Sequence, residues 1–233
     1  MLKDQESLYF DIWRKANFKD LLRAYTAAVE NYNDGEIATG FGNTLDTYVE
    51  GGKKKYTGTP KQWSSAYTLG RELGIFKDGK DRRYVLSNLA MDFLKSKIVS
   101  HEYLLIYLLN LNQLINGKVV HPLNEVLQLF NENKTIEKSS IYNIEKFHLY
   151  KRTLDNRSQI TNILLNRMID AKIIRKSPTK GHYELYKYPL EQLIESCVTW
   201  SKSSFEFEKL THNDYVEMVS APNTIIKLYR LGG

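Results

Sequence analysis

Apolar residues recur at three- and four-residue spacing from the start of the chain: Leu8, Ile12 and Trp13, then Phe18, Leu21, Leu22, Tyr25 and Val29. This period predicts helix as far as a turn at Asn33-Asp34-Gly35. A short helical piece is expected from Leu45 to Val49, followed by a loop through Gly51-Gly52 and Lys53-Lys54-Lys55. The next stretch carries the clearest signals. Thr59 can cap a helix and Pro60 suits its first position, where a missing N–H costs nothing. Trp63, Ala66, Tyr67, Leu69 and Leu73 form an inward stripe, and Gly74 is placed to end the helix in left-handed geometry. Asp78-Gly79 between Ile75-Phe76 and Tyr84-Val85-Leu86 predicts a hairpin. Ser87 then caps a helix with Leu89, Met91, Phe93 and Leu94 as its apolar set.

Residues 101–115 are apolar around most of a helical circumference, which predicts a buried helix broken at Asn116-Gly117. Pro122 opens a helix through Phe130, and Ser139 or Ser140 another through Phe147. The first pattern then returns. Asp155 or Asn156 can cap a helix with the stripe Ile160, Ile163, Leu164, Met168 and Ala171, followed by strand at Ile173-Ile174. A turn at residues 177–181 and a return strand at Tyr183-Glu184-Leu185-Tyr186 come next, then a closing helix from Leu190. Lys172 stands where the earlier unit has Gly74, in a position that disfavours a side chain. Phe205-Glu206-Phe207-Glu208 alternates like a strand, and residues 212–219 fit one or two helical turns.

These elements describe a mainly α protein with small β-hairpins (α+β): tandem winged helix-turn-helix units joined by a buried helical segment. The expected boundaries are 1–98 for the first unit, 99–200 for the connector and second unit, and 201–233 for a C-terminal extension.

Composition narrows the class. The chain has 233 residues, 42% hydrophobic and 26% charged, which is enough to bury a core and excludes wholesale disorder. No apolar run approaches the ~18 residues of a membrane span, and the N-terminal residues form no apolar signal core. A cytoplasmic protein is expected, with no membrane partner. Cys197 is the one cysteine, so neither an internal disulfide nor a cysteine-based zinc cluster can form. Its neighbours Leu193, Ile194 and Val198 mark it as a buried structural thiol.

Charge changes the picture more. The net charge is +6, but residues 53–83 alone hold nine basic and three acidic side chains, and residues 146–187 hold ten and three. The remainder is therefore net acidic, and two separated basic tracts suit two patches that meet a polyanion. In a helix-turn-helix the N-terminal part of the second helix reaches base edges. Those residues are Lys61, Gln62, Ser64, Ser65 and Thr68 in the first unit. In the second they are Asn156, Arg157, Gln159, Thr161, Asn162 and Asn166. Arg suits guanine, and Asn or Gln suits adenine. Lys53, Lys54, Lys55, Lys77, Lys80, Arg82, Arg83, Arg175, Lys176 and Lys180 would take phosphates. Double-stranded DNA is the expected partner.

Catalytic patterns are absent from the sequence. The five histidines show no metal spacing, and no phosphate-binding loop or nucleophile elbow occurs. Asp78-Gly79-Lys80 matches the acid and lysine of a metal-dependent nuclease, but it falls on a hairpin tip. No enzyme activity, cofactor or metal is expected of this chain.

The run Trp63-Ser64, Tyr67, Leu69-Gly70, Leu73-Gly74-Ile75, then the hairpin and Leu86-Ser87-Asn88-Leu89-Ala90, resembles the recognition modules of modular restriction endonucleases of the Type IIS and AlwI-like kind. The helix beginning His101-Glu102-Tyr103-Leu104-Leu105 extends the likeness, which covers about residues 55–190. The resemblance implies tandem winged-helix units that read an asymmetric DNA site, with base reading at residues 60–73 and 156–171. It also implies a role in a restriction or phage-defence system, with cleavage left to a nuclease domain or subunit. Two other readings remain open: a dimeric transcriptional regulator of a phage, plasmid or defence locus, and a structural winged-helix subunit of an assembly resembling chromosome-condensing (SMC-like) ATPases.

Overall fold

The computed structural model describes residues 3–11, 17–33, 35–48 and 60–226; of Lys61, Gln62, Ser65 and Arg82 it describes the backbone. The expected caps and loops at Val49, Gly51 to Lys55 and Thr59, with Ile12 and Trp13, lie outside these residues. In chain order the first elements are α1 (Phe18–Asn31), α2 (Ile37–Tyr48), α3 (Pro60–Glu72), β1 (Phe76–Asp78), β2 (Tyr84–Leu86) and α4 (Asn88–Leu94). There follow α5 (Ser100–Asn110), β3 (Gln113–Ile115), β4 (Lys118–Val120), α6 (Pro122–Gln128), β5 (Thr135–Glu137) and α7 (Lys138–Tyr142). The last are α8 (Leu154–Asp170), β6 (Ile174–Lys176), β7 (His182–Leu185), α9 (Leu190–Ser196), α10 (Ser204–Glu208) and α11 (His212–Val219). Helices dominate and the strands are short antiparallel pieces, so the fold is α+β.

The chain divides into two units, and the division falls inside α5. An N-proximal unit comprises Asp11–Tyr103 and His212–Ala221. A C-proximal unit comprises Met1–Phe10, Leu104–Thr211 and Pro222–Gly233. The stretch 201–233, read from sequence as one extension, is thus shared: α10 belongs to one unit and α11 to the other. Residues 3–10, read as the start of a helix, belong with the C-proximal unit as an extended segment. Gln5 bridges Ile115, and the Leu8 amide donates to the Phe147 carbonyl at 3.0 Å.

The N-proximal core is aromatic. Helix α1 begins at Phe18 because Asn17 caps it, its side chain accepting from the Asp20 amide at 2.9 Å. The buried face Leu21, Leu22, Tyr25, Ala28 and Val29 packs on α2, which is longer than the short piece expected. Its buried residues Ile37, Phe41 and Leu45 fall four apart, but Gly40 between them hid the period. That glycine is used for close approach: a Cβ there would overlap the Tyr32 ring. Trp63 of α3 stacks on Phe76 at 5.8 Å, and Tyr67, Tyr84, Tyr25 and Phe41 complete the cluster. Gly74 ends α3 at φ +66°, as its position predicts. The hairpin pairs Phe76 with Leu86 and Asp78 with Tyr84. Its five-residue tip holds a single 3-10 turn at Lys80–Arg82, with Asp81 rather than Gly79 in left-handed geometry.

The C-proximal unit departs from the sequence reading at four places. The helix predicted over 101–115 stops at Asn110, and Leu114 and Ile115 lie in a hairpin with β4. Asn116 and Gly117, both at positive φ, form its two-residue turn; the same dipeptide is compatible with a helix break, and the apolar run masked the switch. The predicted helix from Ser139 to Phe147 is only one turn, α7, preceded by β5 and followed by 3-10 turns on either side of His148. Helix α8 is capped by Thr153, two residues before Asp155. Residues 205–208 are helical, not extended, because Ser203 and Glu206 make a reciprocal capping box. Three strands form one sheet in the order β5-β7-β6. Lys172 adopts φ +58°, the left-handed geometry expected of its position.

Candidate functional site

Helix α8 carries the most legible surface. Its N-terminus is fixed by Thr153, whose hydroxyl accepts from the Asn156 amide, and by a 3-10 turn at Leu149–Lys151. Thr161, Leu164, Leu165, Arg167 and Met168 are buried along one side. On the opposite side Asp155, Gln159, Asn162 and Asn166 follow one another at i, i+4, i+7 and i+11, all exposed, with exposed Asn156 beside them. Among the described residues none of these side chains hydrogen-bonds within the protein. A row of amides with unspent donors and acceptors is the chemistry that reads an edge with both.

Two residues expected in this row are elsewhere. Thr161 is fully buried, because the helical period turns it among Leu164, Leu165 and Met168, so it cannot meet a base. Arg157 is half-buried and turned back on the loop before α8. Its Nη2 donates to the Arg152 carbonyl at 3.2 Å, and its guanidinium lies over the Tyr142 ring at 5.9 Å. It braces the approach to the helix rather than projecting from it.

The basic tract of residues 146–187 is also partly spent inside the unit. Arg167 is fully buried, with its guanidinium over the Phe10 ring at 4.7 Å and donating to the Tyr107 hydroxyl at 2.8 Å. Arg175 pairs with Glu184, directly across the β6–β7 ladder, at 2.7 Å, and lies over Tyr186. Lys146 pairs with Glu125 at 2.6 Å. Lys176 and Lys180, on and beyond β6, are exposed and stand where phosphate-binding residues were expected. Exposed Leu154 and Tyr150 lie at the head of the helix.

In the N-proximal unit α3 buries Ala66, Leu69 and Gly70 and exposes Ser64 and Thr68, one turn apart. The Thr68 hydroxyl donates back to the Ser64 carbonyl at 3.2 Å. Lys61, Gln62, Ser65 and Arg82 keep their expected places on α3 and the hairpin tip, but their side chains lie outside what is described, as do Lys53, Lys54 and Lys55 altogether. The hairpin is tied down at its base. Arg71 is buried and bonds Asp78 at 2.7 Å and the Tyr67 hydroxyl. Asn213 of α11 accepts from the Asp78 amide at 3.0 Å and donates to the Asp78 carbonyl at 2.9 Å. Lys77, expected on a phosphate, pairs with Glu217 at 2.5 Å. Lys80 and Arg83 are exposed at the tip.

Asp78, the acid of the nuclease-like triplet, is thus held by Arg71 and Asn213. Among the described residues no group of three or more His, Cys, Asp and Glu is arranged to hold a metal ion. His121 caps α6: its Nδ1 accepts from the Asn124 amide at 3.1 Å, so Nε2 carries the proton to the Leu109 carbonyl at 2.8 Å. Burial holds this imidazole below the ordinary value of 6.5, which marks it as a neutral structural group. Burial pushes the Cys197 thiol up to about 12, far from an activated thiolate. No described helix is long and apolar enough to cross a membrane.

Asp155 is the residue of this surface that sequence reasoning missed. The sequence offers it as a helix cap; with Thr153 in that role, Asp155 lies inside α8 at the head of the amide row.

No protein-family model matches this chain, and no curated protein matches it. Among solved structures it is similar to the BpuJ1 endonuclease binding domain, crystallised in complex with pyrene- and phenanthrene-modified DNA. The TM-score is 0.64 at 14% identity, over 91% of this chain and 96% of that one. At this identity the likeness is one of fold.

Proposed function

We propose that this chain binds double-stranded DNA sequence-specifically through two winged-helix units, as the recognition module of a restriction-type system. The observation that carries the reading is the shared fold with an endonuclease binding domain in complex with DNA, a likeness that spans both units rather than one. The C-proximal element order supports the winged-helix assignment. A helix (α6), a first strand (β5), a short helix (α7), a long helix (α8) and a two-stranded wing follow in turn, with the first strand paired to the last. In that arrangement α8 is the helix that enters the major groove and the β6–β7 wing flanks it. Amides on its open face suit adenine N6 and N7, and exposed lysines on the wing suit phosphates.

The N-proximal unit offers the same order of long helix, hairpin and short helix, with Ser64 and Thr68 exposed among the described side chains of α3 and a basic tip. Two units of unlike sequence on one chain favour an asymmetric site over a palindrome. In such a system, cutting would fall to another domain or subunit. The test is selection from random duplex oligonucleotides with the intact chain, followed by binding across a salt series. One asymmetric motif, with affinity falling steeply as salt rises, is the expected result. A palindromic motif would replace this reading with a dimeric regulator. Weak binding with no enriched motif would remove sequence-specific recognition.

A further inference from the structure

The amide row on α8 begins with a carboxylate. Asp155 stands at i relative to Gln159 at i+4, Asn162 at i+7 and Asn166 at i+11, and all four are exposed. Among the described residues nothing hydrogen-bonds or pairs with its side chain. The other two acids of the basic tract are placed differently: Glu184 is held by Arg175 at 2.7 Å, and Asp170 lies at the opposite end of the helix. Asp155 is therefore an open negative charge in the turn that a helix of this kind points at base edges.

A carboxylate there opposes the phosphates and lowers affinity for any duplex. Its chemistry is also the most selective on the helix, because it accepts and never donates. In the major groove cytosine offers its N4 amino group and adenine its N6 amino group. Guanine offers N7 and O6, and thymine O4, all acceptors that a carboxylate repels. An asparagine in the same place would tolerate all four bases by turning its amide.

We propose that Asp155 is a specificity-determining residue that works by rejection: it restricts one position of the site to cytosine or adenine at the expense of overall affinity. The inference rests on the DNA-binding reading above. A purely structural role makes a different prediction. An acid in the first turn stabilises a helix through its dipole, and its neutralisation then changes stability and nothing else.

The experiment compares wild type, Asp155→Asn and Asp155→Ala as full-length chains, each put through selection from random duplexes and a thermal melt. With wild type, one position of the motif should be confined to cytosine or adenine. With Asp155→Asn that position should broaden to admit guanine or thymine. Binding to unselected duplex should tighten about threefold at low salt, a gain that fades as salt screens the charge. Asp155→Ala should show the same gain without a new preference. If wild type enriches a motif and both variants return it unchanged, with only the melting temperature lowered, the rejection role is overturned while DNA recognition stands. If wild type enriches no motif, both fall together.

Discussion

The two units follow one order of elements with different means, and the contrast shows where sequence counting misleads. In the N-proximal unit an aromatic cluster around Trp63 and Phe76 holds α3 to its hairpin, and α11 clamps the hairpin base through Asn213. Part of its basic tract is structural: Arg71 is buried on Asp78 and Lys77 is neutralised by Glu217, while Lys80 and Arg83 stay exposed at the tip. The C-proximal unit has an aliphatic face under α8, a third strand beside its β6–β7 hairpin, and a buried Arg167 between aromatic rings. Among the described side chains, α3 exposes the hydroxyls of Ser64 and Thr68, and α8 exposes amides. A tally of lysine and arginine gives the two tracts equal standing, whereas the fold spends different members of each on internal contacts.

Arg167 gives the largest test of this contrast. Arg167→Ala should destabilise the C-proximal unit by about 3–5 kcal/mol in chemical denaturation, since it opens a cavity and strips the Tyr107 hydroxyl of its donor. A loss below about 1 kcal/mol would contradict a structural role for this arginine. The two left-handed helix stops come next. Gly74→Ala should cost about 2 kcal/mol, because the position has φ +66° and a Cβ there would overlap Val219.

A pH titration probes the cap of α6. His121 is held neutral in the fold, so below 6.5 the unfolded chain binds the extra proton. Its contribution is fully present above 6.5 and is lost as pH falls through that value, at up to about 1.4 kcal/mol per pH unit. Hydrogen exchange in α6 between pH 7 and 5 should show the loss, and His121→Asn should flatten it. Lys172→Gly should move in the opposite sense to Gly74→Ala and stabilise by about 1 kcal/mol, since Lys172 occupies φ +58°. Smallest of all, Thr161→Val should be neutral or stabilising by up to about 1 kcal/mol, because its buried hydroxyl has no hydrogen-bond partner. The motif it selects should not change.

Much of the N-proximal unit was legible because its punctuation is local: Pro60, Gly74, Asp78-Gly79 and Ser87 each act within a few residues. The C-proximal helices α6, α8 and α9 and the β6–β7 hairpin were legible for the same reason. What stayed hidden depended on distant partners. β3 and β5 are three residues long and become strands only by pairing with β4 and β7. The N-terminal segment is extended because it adds to residues more than a hundred positions away. In the site, Asn156, Gln159, Asn162 and Asn166 reach the surface as expected. Thr161 does not, because the helical period places it beside Leu164, Leu165 and Met168, and half-buried Arg157 is drawn back onto Arg152 and Tyr142. Burial of Arg167 could not be seen in composition at all.

The most direct test of the central claim is the ratio of affinity for the selected site to affinity for unselected duplex, measured for wild type and for Gln159→Ala/Asn162→Ala at one salt concentration. If the open face of α8 reads bases, the ratio should fall roughly tenfold or more, while unselected-duplex binding and the melting temperature stay near wild type. An unchanged ratio in a folded double variant would contradict the account.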